Sequence, residues 1–457
     1  MNRWLKRTAV GILVALAFSI AGTVWTRRSD RAVGEERLAL LEAELDSTDP
    51  GWRLEQLLAS RDAARPPDDR NLTKLCWEVR ERRPKAFEKW QADSGKWLPT
   101  PDLNRLPDPD KLAAARQALA EADEALQLAR MARTRPTGGW PLEVKPNPLS
   151  TLLPHLDRVR DVAGLLDTDA VLAAVDGNAA QALASAAAAL HLSRAVGDEP
   201  LAISQLVRTA TDQIAVGILE RSLALSELPP TGLTEVQTAL LAEATEQRLV
   251  ASLRGERAFM QRLMANLDSG VLTLRQMAGG AAEWDDGLSF WLMQRHIPND
   301  RAYHLDYLTQ LLAIAGHPAH EQSELFDQME IPEPGPGRNL TRLLLPAYQK
   351  LAAAEWRLLA RLHSAAIGLA CERFRQANGR WPADLAELKD LLPTVPLDPY
   401  DGQPLRYRRL DDGVVVYSVG PDRQDDGGNL SYGNPQPGED VGFRLWDVAA
   451  RRQPAQP

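Results

Sequence analysis

Cysteine is nearly absent from this sequence. The 457 residues contain two cysteines, Cys76 and Cys371, and neither belongs to a C-x-x-C pair. Thiolate metal sites and thioredoxin-like redox chemistry are therefore unsupported, because both need closely spaced cysteines. A Cys76–Cys371 disulfide would require a location outside the cytoplasm. We favour the alternative, in which both thiols are buried and act as small apolar side chains.

An excess of positive charge is also lacking. The net charge is −9, whereas contacts to phosphates need a basic face, so we expect no nucleic-acid partner. The sequence has no P-loop, G-x-S-x-G, H-E-x-x-H or G-x-G-x-x-G motif. The one local group of ligand-type side chains, His317, His320 and Glu321, surrounds a proline, and we interpret it as a solvated loop. We therefore predict that the protein is not an enzyme.

Long apolar runs are lacking except at the N-terminus, where Thr8–Trp25 carries no charge. A helix of this length spans about 27 Å, just enough for the hydrocarbon core of a bilayer. We predict a single-pass anchor within residues 1–31, which contacts the membrane through residues 8–25 and leaves the bulk of the chain extracytoplasmic. The alternative is a signal peptide cleaved after Ala21, with Ser19 two positions before it. Trp25 and the arginines that follow it favour the anchor.

The composition is that of a folded protein. Hydrophobic residues make up 44% of the chain and charged residues 25%, and the length is sufficient for two or three domains. Arginine exceeds lysine, and alanine, leucine and proline are abundant, which indicates a GC-rich bacterial genome. We therefore place the protein in a bacterial cytoplasmic (inner) membrane.

Apolar residues recur at three- and four-residue spacing, which predicts a mainly α-helical protein. We expect a helical region with proline-rich loops over residues 32–149 and an α-helical body over residues 150–330. Ala170–Val196, with a turn at Asp176-Gly177, resembles one helical hairpin of tetratricopeptide-type repeats, but no 34-residue period follows. The body is therefore predicted to be an α-helical hairpin array or bundle. Continuous helices are predicted over Lys111–Arg133, Ala202–Leu225 and Leu233–Leu267.

The pattern changes after Ile331–Arg338, where prolines and glycines exclude a helix. Residues 339–457 are predicted to fold as a separate small α+β domain. Its long helix should end at Asn378-Gly379, in a left-handed C-terminal cap, before a short helix over Ala383–Leu391. The apolar period then becomes two, which indicates a three-stranded antiparallel sheet. The strands are predicted around Leu405–Arg408, at Gly413–Ser418 and at Val441–Trp446.

The C-terminal region carries an ordered series of motif residues. These are Asn378, Gly379, Trp381, Pro382, Asp398, Pro399, Tyr400, Tyr407, Tyr417, Ser418, Gly420 and Asp422. The series resembles the C-terminal half of type II secretion major pseudopilins and covers less than a fifth of the chain. Arg423 replaces the glycine that follows the last aspartate in that family. The prepilin cleavage motif is missing, and the helical body separates the anchor from the long helix, so we expect no polymerisation as a pilus subunit.

The resemblance implies calcium binding in the loop that follows Ser418. Asp422, Asp425 and Asp426 place three carboxylates within five residues, and Gly427-Gly428 allows a tight turn. Carboxylate, hydroxyl and carbonyl oxygens suit Ca²⁺. The predicted metal ligands are therefore Asp422, Asp425, Asp426 and Ser418. The alternative is a solvated acidic turn without a cation.

These features predict a membrane-anchored extracytoplasmic scaffold or interaction protein with a pseudopilin-like C-terminal module, linked to a secretion system or envelope assembly. Its partners would be proteins that the sequence does not identify. The alternative is a membrane-tethered hydrolase with a dispersed active site. A groove lined by tryptophan and arginine would favour the scaffold, whereas a buried cluster of histidine and carboxylates in the body would favour the hydrolase.

Overall fold

Helices form most of this chain, and a small antiparallel sheet lies near its C-terminus. The computed structural model describes residues 30–94, 97–277, 294–330, 333, 335 and 338–455. The prediction of a mainly helical protein with one three-stranded sheet is confirmed. Within these ranges, no helix is both long enough and apolar enough to cross a membrane. The predicted anchor, residues 8–25, lies outside the described residues.

Short helices fill the N-terminal region. They are α1 (30–48), α2 (Leu54–Ala64), α3 (Leu72–Arg82), α4 (Lys85–Asp93), α5 (Pro109–Glu121) and α6 (Asp123–Arg130). The Asp108 carboxylate caps α5 by accepting hydrogen bonds from the amides of Asp110 and Lys111. The prediction of one helix over Lys111–Arg133 is wrong, because the helical backbone is interrupted at Ala122.

The body contains longer helices. They are α7 (Pro154–Val175), α8 (Ala179–Leu192), α9 (Ala202–Leu225), α10 (Pro230–Ala244), α11 (Arg248–Asp268), α12 (Leu274–Met277), α13 (Ile297–Ala315) and α14 (Ala319–Gln328). The hairpin predicted at Ala170–Val196 is formed by α7 and α8. Its turn uses Gly177 at φ +79°, a left-handed conformation that favours glycine. The prediction for α9 is also confirmed, since the helix covers Ala202–Leu225.

The single helix predicted over Leu233–Leu267 is wrong. The chain forms α10 and α11, separated at residues 245–247. Within this break, Gln247 has a non-helical ψ of +55°, and the Arg248 guanidinium reaches back to the Glu243 carbonyl and carboxylate, at 2.8 and 2.7 Å. These bonds satisfy polar groups at the end of α10 and fix the turn.

The C-terminal region begins with α15 (Asn339–Asn378), which ends at Gly379 with φ +70°, as predicted. A 3₁₀ turn over Leu385–Leu388 replaces the short helix predicted there. The strands are β1 (Arg406–Leu410), β2 (Gly413–Ser418) and β3 (Val441–Trp446), in the order β1-β2-β3 with antiparallel pairing. The strand predictions are therefore confirmed.

One hydrophobic core connects the body with the C-terminal region. Its main cluster includes residues of α7, α8 and α10 together with Leu362 and Ile367 of α15 and Phe443 of β3. Cys76 and Cys371 are both buried and unpaired, which confirms the prediction of two buried thiols. The predicted domain boundaries stay predictions, and the described core residues of α15 belong to clusters that also contain residues of the body.

Candidate functional sites: an acidic loop and a junction cleft

Asp398 organises the turn that precedes the sheet. Its fully buried carboxylate accepts hydrogen bonds from the Tyr400 and Val419 amides, the Ser418 hydroxyl and the Arg406 guanidinium, at 2.8–2.9 Å. Burial raises the pKa of Asp398, although three of these donors oppose the shift. Ser418, one of the predicted calcium ligands, therefore uses its hydroxyl to hold this turn.

The first two aspartates of the acidic loop are held by local hydrogen bonds. The carboxylate of Asp422 accepts from the amides of Gln424 and Gly438, both at 3.1 Å. That of Asp425 accepts from the Tyr417 hydroxyl and the Gly427 amide, both at 2.9 Å. The loop is therefore an ordered turn whose carboxylates face its own amides.

Asp426 lies beside a carboxylate that comes from a distant position. The Asp440 carboxylate accepts from the Asp426 amide at 3.4 Å and from the Gly428 amide at 2.7 Å. Oδ2 of Asp426 is buried and, among the described residues, has no hydrogen-bond partner. Burial, together with the charges of Asp425 and Asp426, raises the pKa of Asp440 to about 6. The structure thus brings Asp425, Asp426 and Asp440 together.

The calcium site stays a prediction. Among the described residues, no group of three or more histidine, cysteine, aspartate or glutamate side chains is arranged to hold a metal ion. Of the four predicted ligands, Asp425 and Asp426 lie near Asp440, Asp422 is hydrogen-bonded to Gly438, and Ser418 is bound to Asp398.

A cleft of about 600 Å³ lies between the body and the C-terminal region. We call it the junction cleft. The apolar part of its lining comes from α9 and includes Ala210, Ile214 and Ile218. Residues 98–103, the loop 431–434 and two arginines of α15 also line it. No tryptophan is found among its described lining residues.

The charged part of the junction cleft contains Arg221, Arg357 and Arg361. Arg361 pairs with the buried Glu220 at 3.1 Å, and Arg221 donates to the Pro99 carbonyl at 2.9 Å. The Nε atoms of Arg357 and Arg361 are buried and have no hydrogen-bond partner in the described part of the chain. Arg357 also donates to the Asn434 side chain through Nη1. Among the described residues, Nη2 of Arg357 and Nη1 of Arg361 donate no hydrogen bond, so these outer nitrogens retain donors that a ligand could use.

Burial shifts the acids of the cleft toward their neutral forms. It raises the pKa of Asp167, against the charge of Arg221, and the pKa of Glu220, against the charge of Arg361. Arginine, in contrast, stays protonated in proteins. With three arginines against two acids in its lining, the junction cleft combines a positive surplus with an apolar wall, and this combination suits a ligand that carries both an acidic group and apolar groups.

A buried histidine–carboxylate cluster also exists in the body. The fully buried Glu199 carboxylate contacts His155 Nε2 at 2.8 Å and Arg61 at 3.2 Å, and it accepts the hydroxyl proton of Ser204. A serine nucleophile would need a hydrogen bond to the histidine base, but the Ser204 hydroxyl is donated to Glu199 instead. All three side chains are closed to solvent. The cluster thus has the burial and the residue types that the hydrolase alternative requires, but not the serine–histidine hydrogen bond or the access to solvent. The hydrolase alternative stays a hypothesis.

Part of this arrangement has a signal in the sequence. Arg357 and Arg361 are one helical turn apart, which predicts a shared face, and each directly precedes a buried leucine of the apolar stripe of α15. The other cleft residues come from α7, α9, β3 and two loops that are far apart in the chain, so no local pattern indicates them. Asp440 likewise follows the acidic loop by fourteen residues.

Comparisons with known proteins found nothing similar. The chain matches no protein-family model, and it has no significant similarity to a curated protein or a solved structure.

Proposed function

We propose that this chain is a membrane-anchored extracytoplasmic scaffold that binds a partner protein in the junction cleft. The observation that carries this proposal is the cleft itself, where Arg357 and Arg361 each use one outer nitrogen within the described chain and present the other beside the apolar wall of α9. The partner would present an acidic side chain or a terminal carboxylate next to apolar residues. Arginine recognises carboxylates through paired hydrogen bonds, and burial between two chains would strengthen them.

The partner can be identified by affinity capture with the full chain. Wild-type protein, Arg357→Gln and Lys350→Gln are captured from detergent-solubilised membranes and compared by mass spectrometry. Lys350 is exposed on the same helix and does not line the cleft, so its replacement controls for the loss of one positive charge. A partner bound by wild type and by Lys350→Gln should be reduced at least tenfold with Arg357→Gln, since a charged hydrogen-bond pair contributes about 1.5–3 kcal/mol. Equal capture by all three proteins would argue against the cleft.

The C-terminal module is proposed to be pseudopilin-like. Three features support this assignment. The long helix α15 ends at Gly379, the buried Asp398 fixes the turn before the sheet, and the three strands follow in meander order. The module would dock the scaffold to a secretion or envelope assembly rather than enter a pilus, because the anchor and α15 are separated in sequence by the whole body.

Calcium is proposed to bind the acidic loop through Asp422, Asp425 and Asp426, with Asp440 as a further carboxylate. The unpartnered Oδ2 of Asp426 and the raised pKa of Asp440 support a cation there, because each reflects negative charge without a positive partner. The Ser418 hydroxyl would first have to leave Asp398, so we assign it the weakest role among the predicted ligands.

Thermal melting of the full chain tests this assignment. A ligand at a hundred times its Kd stabilises the folded state by about 2.7 kcal/mol, so millimolar CaCl₂ should raise the melting temperature by a few degrees. MgCl₂ should have a smaller effect, because Mg²⁺ requires octahedral geometry and releases water reluctantly. Asp426→Asn should abolish the calcium shift. A melting temperature that does not change when calcium is added would indicate that the loop is a turn without a cation.

A further inference from the structure

The first described residues of the chain lie against the ends of two helices, and a third helix begins beside them. The Asp30 carbonyl accepts a hydrogen bond from the Asn299 side chain, near the start of α13, at 3.0 Å. Arg31 pairs with Asp268, the last residue of α11, at 2.8 Å. Asp300 of α13 in turn accepts the Leu340 amide, at the start of α15, at 2.8 Å. We call this part of the molecule the anchor-side end.

Large apolar side chains are exposed at this end. Leu343 is 74% exposed in the first turns of α15, Val271 is 59% exposed just after α11, and Val33 is 59% exposed in α1. Leu149 and Leu152 are exposed in a loop that is tied to the same end through hydrogen bonds to α11 and α12. Clusters of exposed apolar side chains mark surfaces that contact another molecule or a membrane.

Positive side chains accompany these apolar residues. Lys145, Arg275, Arg338 and Arg342 are exposed on the same segments and, within the described chain, none forms a salt bridge. The acids of these segments are mostly paired: Asp268 and Glu35 bind Arg31, and Asp300 binds the first amides of α15. Glu36 and Glu143 are exposed acids on these segments that form no salt bridge with another described residue. Apolar side chains mixed with arginine and lysine are typical of surfaces that rest on anionic lipid.

The short chain between the apolar run and Asp30 limits what can cover the anchor-side end. The apolar run of the sequence ends at Trp25, five residues before Asp30. A fully extended chain covers at most about 3.5 Å per residue, so this end lies within about 18 Å of the end of that run. If the run spans the membrane, no folded domain of another protein fits between the bilayer and this surface.

We propose that the anchor-side end rests on the outer surface of the membrane, with Leu343 and Val271 in the headgroup region and the nearby arginines against anionic lipid. This inference rests on the proposed membrane anchor. It fixes the orientation of the molecule, because the sheet contacts α15 about 25 residues beyond Leu343, at Gly368 and Phe443. A helix rises 1.5 Å per residue, so this contact lies roughly 40 Å from Leu343 along α15, whereas Val419 and Val441 pack nearer to Leu343, against the first half of the helix.

The test uses the full chain in lipid nanodiscs that contain phosphatidylglycerol. Single-cysteine sites are made with Leu343→Cys and, as the matched control near the sheet, Val448→Cys, which is also exposed. Both carry an environment-sensitive fluorophore, and the native cysteines are buried and react poorly. Spin-labelled lipid should quench the fluorophore at position 343 strongly and the one at position 448 weakly. Arg338→Gln with Arg342→Gln should remove the dependence of this quenching on anionic lipid.

Each other outcome contradicts a different part of the argument. Protein that enters the discs, but with equal weak quenching at both positions, would overturn the membrane contact and leave the anchor intact. A fluorophore at position 343 that is shielded from water without lipid quenching would show that a second protein covers this end, which also overturns the proposal. Failure of the chain to enter the discs would overturn the anchor itself.

Discussion

Asp398 explains why several polar residues of the C-terminal motif occur together. Its buried carboxylate requires donors, and the Tyr400 amide, the Ser418 hydroxyl and the Arg406 guanidinium provide them. A buried carboxylate without these partners would be strongly destabilising. The order of these residues in the sequence could be read as a motif, but their meeting at one carboxylate could not, because it depends on how the turn folds back on β2.

The contribution of the acidic loop to the stability of the protein depends on pH through one residue, Asp440. Asp440 has its pKa raised to about 6 by burial and by the charges of Asp425 and Asp426. Because the folded-state pKa is higher than the ordinary value of 3.8, the contribution of Asp440 to stability is complete below that value and is lost as the pH rises through about 6. Above pH 6, the folded loop therefore contains mutually repelling carboxylates.

We predict that Asp425→Asn stabilises the protein at pH 8 and has little effect at pH 5. Asparagine keeps an Oδ1 atom that can accept both hydrogen bonds of Asp425, from the Tyr417 hydroxyl and the Gly427 amide, but it removes one repelling charge. Melting in calcium-free buffer should show a rise of a few degrees at pH 8 that disappears below pH 6. Asp411→Asn, at an exposed residue outside this loop, is the control. A destabilised Asp425→Asn at pH 8 would contradict the repulsion.

At the scale of elements, α15 connects two parts of the core. Its first half contributes Tyr348, Leu351 and Trp356 to a cluster shared with α11, α13 and α14. Its second half contributes Leu362 and Ile367 to the main cluster, with α10 and the sheet. An apolar stripe along one long helix predicted burial, but it could not indicate which elements lie against each half.

The contact between α15 and the sheet depends on Gly368. A Cβ atom at this position would lie 2.8 Å from the Phe443 ring, which is fully buried. Gly217 in α9 has no atom within 4 Å of the corresponding position and is therefore a matched control. Both glycines lie inside helices, where alanine is intrinsically favoured by about 1 kcal/mol.

We predict opposite effects for the two glycine substitutions. Gly368→Ala should destabilise the protein by about 1–3 kcal/mol, because overpacking against Phe443 outweighs the gain in helix propensity. Gly217→Ala should be neutral or stabilising by up to about 1 kcal/mol. Urea unfolding monitored by circular dichroism measures both. If the two variants had the same free energy of unfolding, α15 and the sheet would be packed less tightly than described.

Local chemistry decided which elements were predictable. The strands and the end of α15 are bounded by glycine and aspartate turns, and these signals act over a few residues. The break between α10 and α11 has no glycine or proline, and it depends on the contact between Arg248 and Glu243. Sequence patterns predict a turn when the residues within the turn favour it. They miss a turn that depends on tertiary hydrogen bonds.

At the scale of the whole molecule, the body and the C-terminal region pack against each other. They share the main core cluster, and the junction cleft takes its lining from both. Glu220 of the body binds the backbone amide of Arg444 in β3 at 2.8 Å, and Arg451 binds Glu372 of α15 and the Ser226 carbonyl of the body. The change in composition at residues 331–338 predicted where the sequence divides, but composition could not show that the two sides pack together.

This packing changes what we expect of residues 339–457 produced alone. Leu358, Leu362 and Leu369 of α15 belong to the core cluster shared with the body, and their exposure would cost about 1.5–3 kcal/mol each. Their sum is comparable to the total stability of a typical domain, about 5–15 kcal/mol. We therefore predict that the fragment shows no cooperative thermal transition and gives poorly dispersed amide resonances. Mixing it with a separate chain of residues 30–330 should restore both signals, because that chain supplies α9 and α10. A fragment that melts cooperatively without the body would show that the sheet and α15 form an autonomous domain.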